Sequence, residues 1–212
     1  AGIRGAAQLL ASELPNKELD EYTNVIISET DRLVNLVDRL TGPYKKPVLR
    51  VHNIHEVIER VRLLLKAESK GDILFVQDYD PSIPEFVGDV EQLIQAVLNI
   101  VRNAMQAMYE SSQDNPKIIL KTRAVSHTTI GPFMHNLIAR IEIINNGPDI
   151  PADMLETIFY PLISGRAEGT GLGLSIAQTI LKNHNGLIEC ESQKEQTKFI
   201  LSIPLSSKIQ GE

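Results

Sequence analysis

Two apolar rhythms divide this chain. From Glu18 to Leu40, the residues Leu19, Tyr22, Ile26, Leu33, Leu36 and Leu40 recur at steps of three and four, broken once by Glu29. That is the spacing of a coiled-coil seam. Ile3 to Leu14 is rich in alanine and leucine, and Pro15-Asn16 separates it from the seam helix. Two helices joined by a short turn read as a helical hairpin, and a single apolar stripe asks for a partner. The expected arrangement is half of a dimeric four-helix bundle; packing of the hairpin on its own chain is the alternative. Thr41-Gly42-Pro43-Tyr44-Lys45-Lys46-Pro47 then reads as a linker.

Beyond the linker the rhythm changes. Ile54 to Lys66 and Asp89 to Tyr109 carry the helical period, with Asp89 placed to cap the second helix and Gln92 three residues on, as in a capping box. Ile73 to Tyr79 reads as a strand. Ile118 to Val125 and Leu137 to Asn145 alternate apolar and polar residues as half-buried strands do, with a hairpin loop expected from Ser126 to His135. Ser175 to His184 is expected to be helical, and Gly186 to Ser192 and Lys198 to Pro204 to be strands. Helices and antiparallel strands without strict alternation point to an α+β sandwich of two layers.

Composition narrows the classes. The 212 residues are 42% hydrophobic, enough for a real core. A net charge of −6 argues against a nucleic-acid partner. One cysteine, Cys190, excludes a disulfide framework and fits a reducing cytoplasm. No run is apolar enough to span a bilayer. The opening Ala1-Gly2-Ile3-Arg4-Gly5 reads as the middle of a helix, so a piece of a longer protein is expected.

Four stretches carry candidate chemistry. Gly169-Thr170-Gly171-Leu172-Gly173-Leu174-Ser175 runs into a helix, and glycines ahead of a helix N-terminus make a phosphate cradle. Such strings also occur as plain loop-to-helix turns. Arg166 just before it is a candidate phosphate contact, or simply a solvated arginine. Asn99 and Asn103 lie one turn apart on one helix face, where a neutral amide oxygen suits Mg²⁺; two surface amides are the alternative. Asn145-Asn146-Gly147-Pro148-Asp149 after a strand could bring an amide to a purine edge or could close a hairpin. Phe159-Tyr160-Pro161-Leu162 could anchor a loop that closes over phosphates, or could be core followed by a turn.

The order of these pieces resembles the N, G1, F and G2 boxes of the histidine-kinase ATP-binding domain. The opening Gly2 to Leu10, Asp31-Arg32-Leu33, Leu36 to Leu40, Tyr79 to Ser82 and Phe159 to Arg166 are similar to NtrB-type nitrogen-regulation sensor kinases. That resemblance implies the histidine-kinase, gyrase and Hsp90 type of ATPase sandwich at 47–212. It implies a truncated dimerisation hairpin and linker at 1–46. It implies ATP and Mg²⁺, with Asn103 as the metal ligand, Asn99 lining the pocket, Asn145 reading the adenine amino group and Gly147 allowing close approach. Gly169, Thr170, Gly171 and Gly173 are then lid and triphosphate contacts, with a lid between Phe159 and Thr170 whose part from Leu162 to Glu168 is expected to move. It implies a homodimer in the full-length protein, phosphoryl transfer to a histidine and then to the response regulator NtrC, phosphatase assistance, control by the PII signal protein, and a cytoplasmic setting without nucleic acid or membrane.

Departures from the family pattern qualify those expectations. The family has aspartate where Asn145 stands; losing charge assistance there is worth about 1–2 kcal/mol, or roughly tenfold in affinity. Asp149 replaces the second glycine of the G1 box. The phosphoacceptor histidine would precede Ala1, so no catalytic nucleophile is expected here, and His52, His55, His127, His135 and His184 read as structural or surface groups. The ATP-hydrolysing relatives need a glutamate one turn before the metal asparagine, and Asn99 cannot act as a base. A nucleotide-poor module that docks response regulator and PII, its pocket degraded at Asn145 and Asp149, is the alternative function.

Overall fold

The computed structural model describes residues 47–69, 71–163 and 171–205, with 22–30 and residues 3, 5, 6, 9 and 10 nearer the start. The chain divides into two compact units, Ala1–Lys45 and Lys46–Glu212. In the first, 22–30 is helical, and Tyr22 and Ile26 of the expected seam are exposed. Pro15 and the seam positions Leu19, Leu33, Leu36 and Leu40 lie outside the described residues.

The second unit runs β1 (Arg50–His52), α1 (Ile54–Glu68), β2 (Leu74–Asp78), β3 (Phe86–Gly88), α2 (Val90–Glu110), β4 (Lys117–Ile130), β5 (Phe133–Asn145), α3 (Ala152–Leu155), α4 (Gly173–Asn183), β6 (Leu187–Ser192) and β7 (Thr197–Pro204). Five strands form one sheet in the order β2-β4-β5-β7-β6, while β1 and β3 pair by themselves. The alternation read from sequence sorts the faces. Ile118 and Leu120 of β4, Ile141 and Ile143 of β5, and Phe199, Leu201 and Ile203 of β7 are buried together with Val57, Ile58, Val61 and Leu65 of α1, Ile100 and Val101 of α2, and Ile180 and Leu181 of α4. On β4 and β5 their opposite-facing neighbours are half-buried, and there Glu142 lies 3.4 Å from the Lys121 ammonium and 3.1 Å from the Arg140 guanidinium, whereas Ile200 and Ser202 of β7 are buried. The helices pack on the core face of this sheet, so the unit is a two-layer sandwich.

Two details differ from the sequence reading. The pair β2–β4 is parallel, not antiparallel, because β3 and α2 carry the chain over the sheet before it re-enters in the same direction. The expected loop from Ser126 to His135 is largely ladder. Ser126 pairs with Leu137, Thr128 with His135 and Ile130 with Phe133, and only Gly131 and Pro132 turn the corner. Apolar alternation lapses at Ser126-His127-Thr128-Thr129, yet threonine suits a strand, and Gly131 supplies the positive φ of +56° that the turn needs.

Asp89 holds the unit together at the start of α2. Its Oδ1 accepts the Gln92 N–H at 3.1 Å, the expected cap, and its Oδ2 accepts the Val48 N–H at 2.8 Å. The donor that a capping box would return to Gln92 goes elsewhere: the Asp89 N–H donates to His184 Nε2 at 2.9 Å. His184 is buried, its Nδ1 lies 2.8 Å from the Ile180 carbonyl, and burial lowers its pKa. It is therefore a neutral imidazole with its proton on Nδ1, tying the end of α4 to the start of α2.

Candidate functional site

The motif residues converge between α2 and α4. Asn99 and Asn103 project from adjacent turns of α2, both half-buried. Gly173, the first residue of α4, sits directly against Asn99: a Cβ built on it would lie 3.8 Å from Asn99 Cβ. Among the described residues no side chain caps α4, leaving its leading N–H groups open to an anion. Asn99 Nδ2 is buried and has no hydrogen-bond partner. A buried amide hydrogen without an acceptor costs about 1–3 kcal/mol, and here it lies beside the uncapped helix end.

The loop before α4 is fastened at its base. The Leu162 N–H donates to the Gly171 carbonyl at 3.1 Å. Gly171 has φ +62°, and a Cβ there would fall 2.6 Å from the Leu162 carbonyl carbon. Leu162 itself takes φ +66° and is 73% exposed. Of the Phe159-Tyr160-Pro161-Leu162 stretch, Phe159 is half-buried and Tyr160 exposed, while Ile158 is the residue that enters the core. Arg166, Gly169 and Thr170 lie outside the described residues, as does the expected moving segment beyond Ile163.

The other end of the cleft is built from the loop after β5. Asn145 is only 4% exposed. Its Oδ1 accepts the Gly147 N–H at 3.0 Å and its Nδ2 donates to the Thr197 carbonyl at 3.2 Å. A Cβ on Gly147 would come within 2.9 Å of both Asn145 Oδ1 and Met108 Cγ, so any side chain there would have to push both aside. Asp149, the second departure, is exposed. From Asn99 to Met108 along α2 is about 13 Å at the helical rise, the reach of an extended nucleoside triphosphate.

Sequence reasoning missed the residues that hold this loop. Ser192 Oγ accepts the Ile150 N–H at 2.8 Å and lies 2.8 Å from Thr197 Oγ1. On the other side, Asn146 Oδ1 accepts the Lys117 N–H at 2.7 Å and its Nδ2 donates to the Asn115 carbonyl. Small polar residues at strand ends are ordinary, so nothing in their spacing singles them out. A cleft of about 630 Å³ lined by Arg62, Lys66, Lys117 and Asn146 opens behind the loop, away from the motif residues.

A second polar cluster lies on α1, β2 and β4. Glu59 accepts from Arg62, from Gln77 Nε2 at 2.8 Å and from Tyr79 Oη at 2.8 Å. The Arg62 bond chiefly, then Gln77 and Tyr79, holds its carboxyl at about 2, against the opposing effect of burial. Thr122, fully buried, accepts the Asp80 N–H at 2.9 Å and lies 3.0 Å from His55 Nε2. Asp80 Oδ2 accepts the Ala124 N–H at 3.0 Å, and that bond with those from Ser82 holds Asp80 at about 2.

The family described as histidine kinase-, DNA gyrase B-, and HSP90-like ATPase matches residues 88–207, and the chain belongs to it. Within that family, the sensory histidine kinase/phosphatase NtrB of Vibrio alginolyticus is 48% identical over 204 residues, 96% of this chain and 58% of that protein. The catalytic domain of histidine kinase ThkA superposes with a TM-score of 0.62 at 29% identity, covering 74% of this chain and 95% of that one. A structure of ThkA in complex with the response regulator protein TrrA gives 0.65 at 27% identity, over 96% of this chain and 57% of that one. The chain thus spans under two-thirds of the curated relative's length.

Two observations fit a nucleotide: the orphaned Asn99 amide beside an uncapped helix end, and a glycine at 147 packed close against Asn145 and Met108. Among the described residues no three His, Cys, Asp or Glu are grouped to hold a metal. A single amide oxygen from Asn103 suits an ion such as Mg²⁺, which completes its shell with phosphates and water. No described helix is long and apolar enough to cross a membrane.

Proposed function

We propose that residues 47–212 are the ATP-binding catalytic domain of an NtrB-type sensor histidine kinase, and that 1–46 belong to its dimerisation hairpin and linker. The observation that carries this reading is the pairing of the uncapped N-terminus of α4 with the buried, unpartnered amide of Asn99. Bound with Mg²⁺, ATP would supply the phosphoryl group. In this reading Asn103 gives the metal a neutral oxygen, Asn99 lines the phosphate end, and the backbone at Gly169, Thr170, Gly171 and Gly173 with the Arg166 side chain holds the phosphates. Asn145 meets the base and Gly147 lets the backbone approach it. The protein's part in such a transfer is positioning and charge stabilisation. No residue here is assigned as nucleophile; the acceptor is a histidine elsewhere in the kinase dimer, and the response regulator NtrC receives the group next. The name of the NtrB relative, kinase/phosphatase, and the complex of ThkA with its response regulator support those partners. Control by PII, phosphatase assistance and a cytoplasmic setting follow from the same likeness.

A nucleotide-poor docking module is the second reading, favoured by one observation: both polar atoms of Asn145 already have main-chain partners. Calorimetric titration with an ATP analogue and Mg²⁺ separates the two. Micromolar binding supports the kinase domain. Absence of binding, in a chain shown to be folded by circular dichroism, leaves the docking module.

A further inference from the structure

Asn145 closes the far end of the cleft, and its two internal bonds fix which way its amide faces. Turned over, it would set its NH₂ against the Gly147 N–H and its oxygen against the Thr197 carbonyl. An amide has two oxygen lone pairs and two N–H groups. After the internal bonds, one acceptor and one donor remain. Gly147 and Met108, packed beside it, bring no charge. A carboxylate at this place would offer acceptors alone.

Purines differ in kind at their six position: an amino group donates there and a carbonyl accepts. A carboxylate favours the first and repels the second, and a site built so rejects the wrong partner strongly because a buried polar group is left opposed. A neutral amide with one spare lone pair and one spare N–H can satisfy either, after a shift of the base by about one bond length. We propose that Asn145 makes this site tolerant at the purine six position, so that 6-oxo purine nucleotides occupy it alongside adenine nucleotides. This rests on the nucleotide-binding reading above. Discrimination by repulsion, which an aspartate would supply, is absent here.

The test is calorimetric titration of the folded chain with Mg-ADP and with Mg-IDP, which differ at the six position and the adjoining ring nitrogen and need no turnover. Dissociation constants within about tenfold of each other are expected. In Asn145→Asp the two should separate by about a hundredfold, with IDP the weaker. ADP bound and IDP weaker by more than about a hundredfold in the unaltered chain would overturn the proposal while leaving the nucleotide reading intact. Failure of both to bind would overturn the nucleotide reading, and this proposal with it. The comparison in the unaltered chain decides the matter even if the aspartate variant does not fold.

Discussion

The two polar clusters of the sandwich do opposite things. At the α1–β2–β4 edge, Glu59, Thr122 and Asp80 each meet several partners, and the cluster stitches three elements together. Between α2 and α4, the buried Asn99 amide is left with an N–H and nothing to give it to. A saturated cluster stabilises the fold; an unsaturated one, beside an open helix end, costs stability and keeps a place for a ligand. The difference in satisfaction, rather than residue type, is what sets the two places apart.

That contrast can be broken by substitution. The largest effect is expected from Asn103→Ala, which should abolish Mg²⁺-dependent nucleotide binding while leaving Tm within a few degrees, read by calorimetry and thermal melting; unchanged affinity would remove Asn103 from the metal. Next, Thr122→Val should cost about 2 kcal/mol by stranding the Asp80 N–H, lowering Tm by several degrees with nucleotide affinity untouched. An affinity change of more than a few-fold would mean that the edge cluster belongs to the site after all.

Smaller still is the acid response. Glu59 falls from its usual 4.5 to about 2, so the folded state holds fewer protons than the unfolded chain in that window. The stability it contributes is present above about 4.5 and is lost as pH falls toward 2. Asp80, also held at about 2, acts in the same direction. Glu59→Gln should flatten the fall of Tm with acid below 4.5 without removing it; an unchanged slope would show that Glu59 is not the group responsible. The smallest change is expected from Asn99→Ala. It removes a buried donor without a partner, so Tm should hold or rise slightly while nucleotide affinity drops by about threefold to tenfold. A clear loss of stability would show that the amide is partnered in solution.

Much of this was legible in the sequence, and the rest was not for identifiable reasons. The ranges of α1, α2, α4, β6 and β7 follow from periodicity to within a few residues, because each buries a full stripe or face. The strands β1 and β3 escape because three residues hold no period. The β4–β5 arm escapes because its outer part is polar on both faces. For the site, the motif residues were found from their order, but their engagement was not. Asn145 reads as a side chain waiting for a base, whereas its partners Gly147 and Thr197 are main-chain groups that carry no side-chain signature.

The five-stranded sheet ends at β2 and β6, and an open strand invites a second copy to extend it. β2 is only five residues long, and its last residue, Asp78, is clasped by Arg123 of the neighbouring strand at 2.7 Å. On β6, Glu189 and Glu191 are exposed, so two copies meeting in antiparallel register about Cys190 would set glutamate opposite glutamate. The sheet thus carries its own deterrent to growing from molecule to molecule.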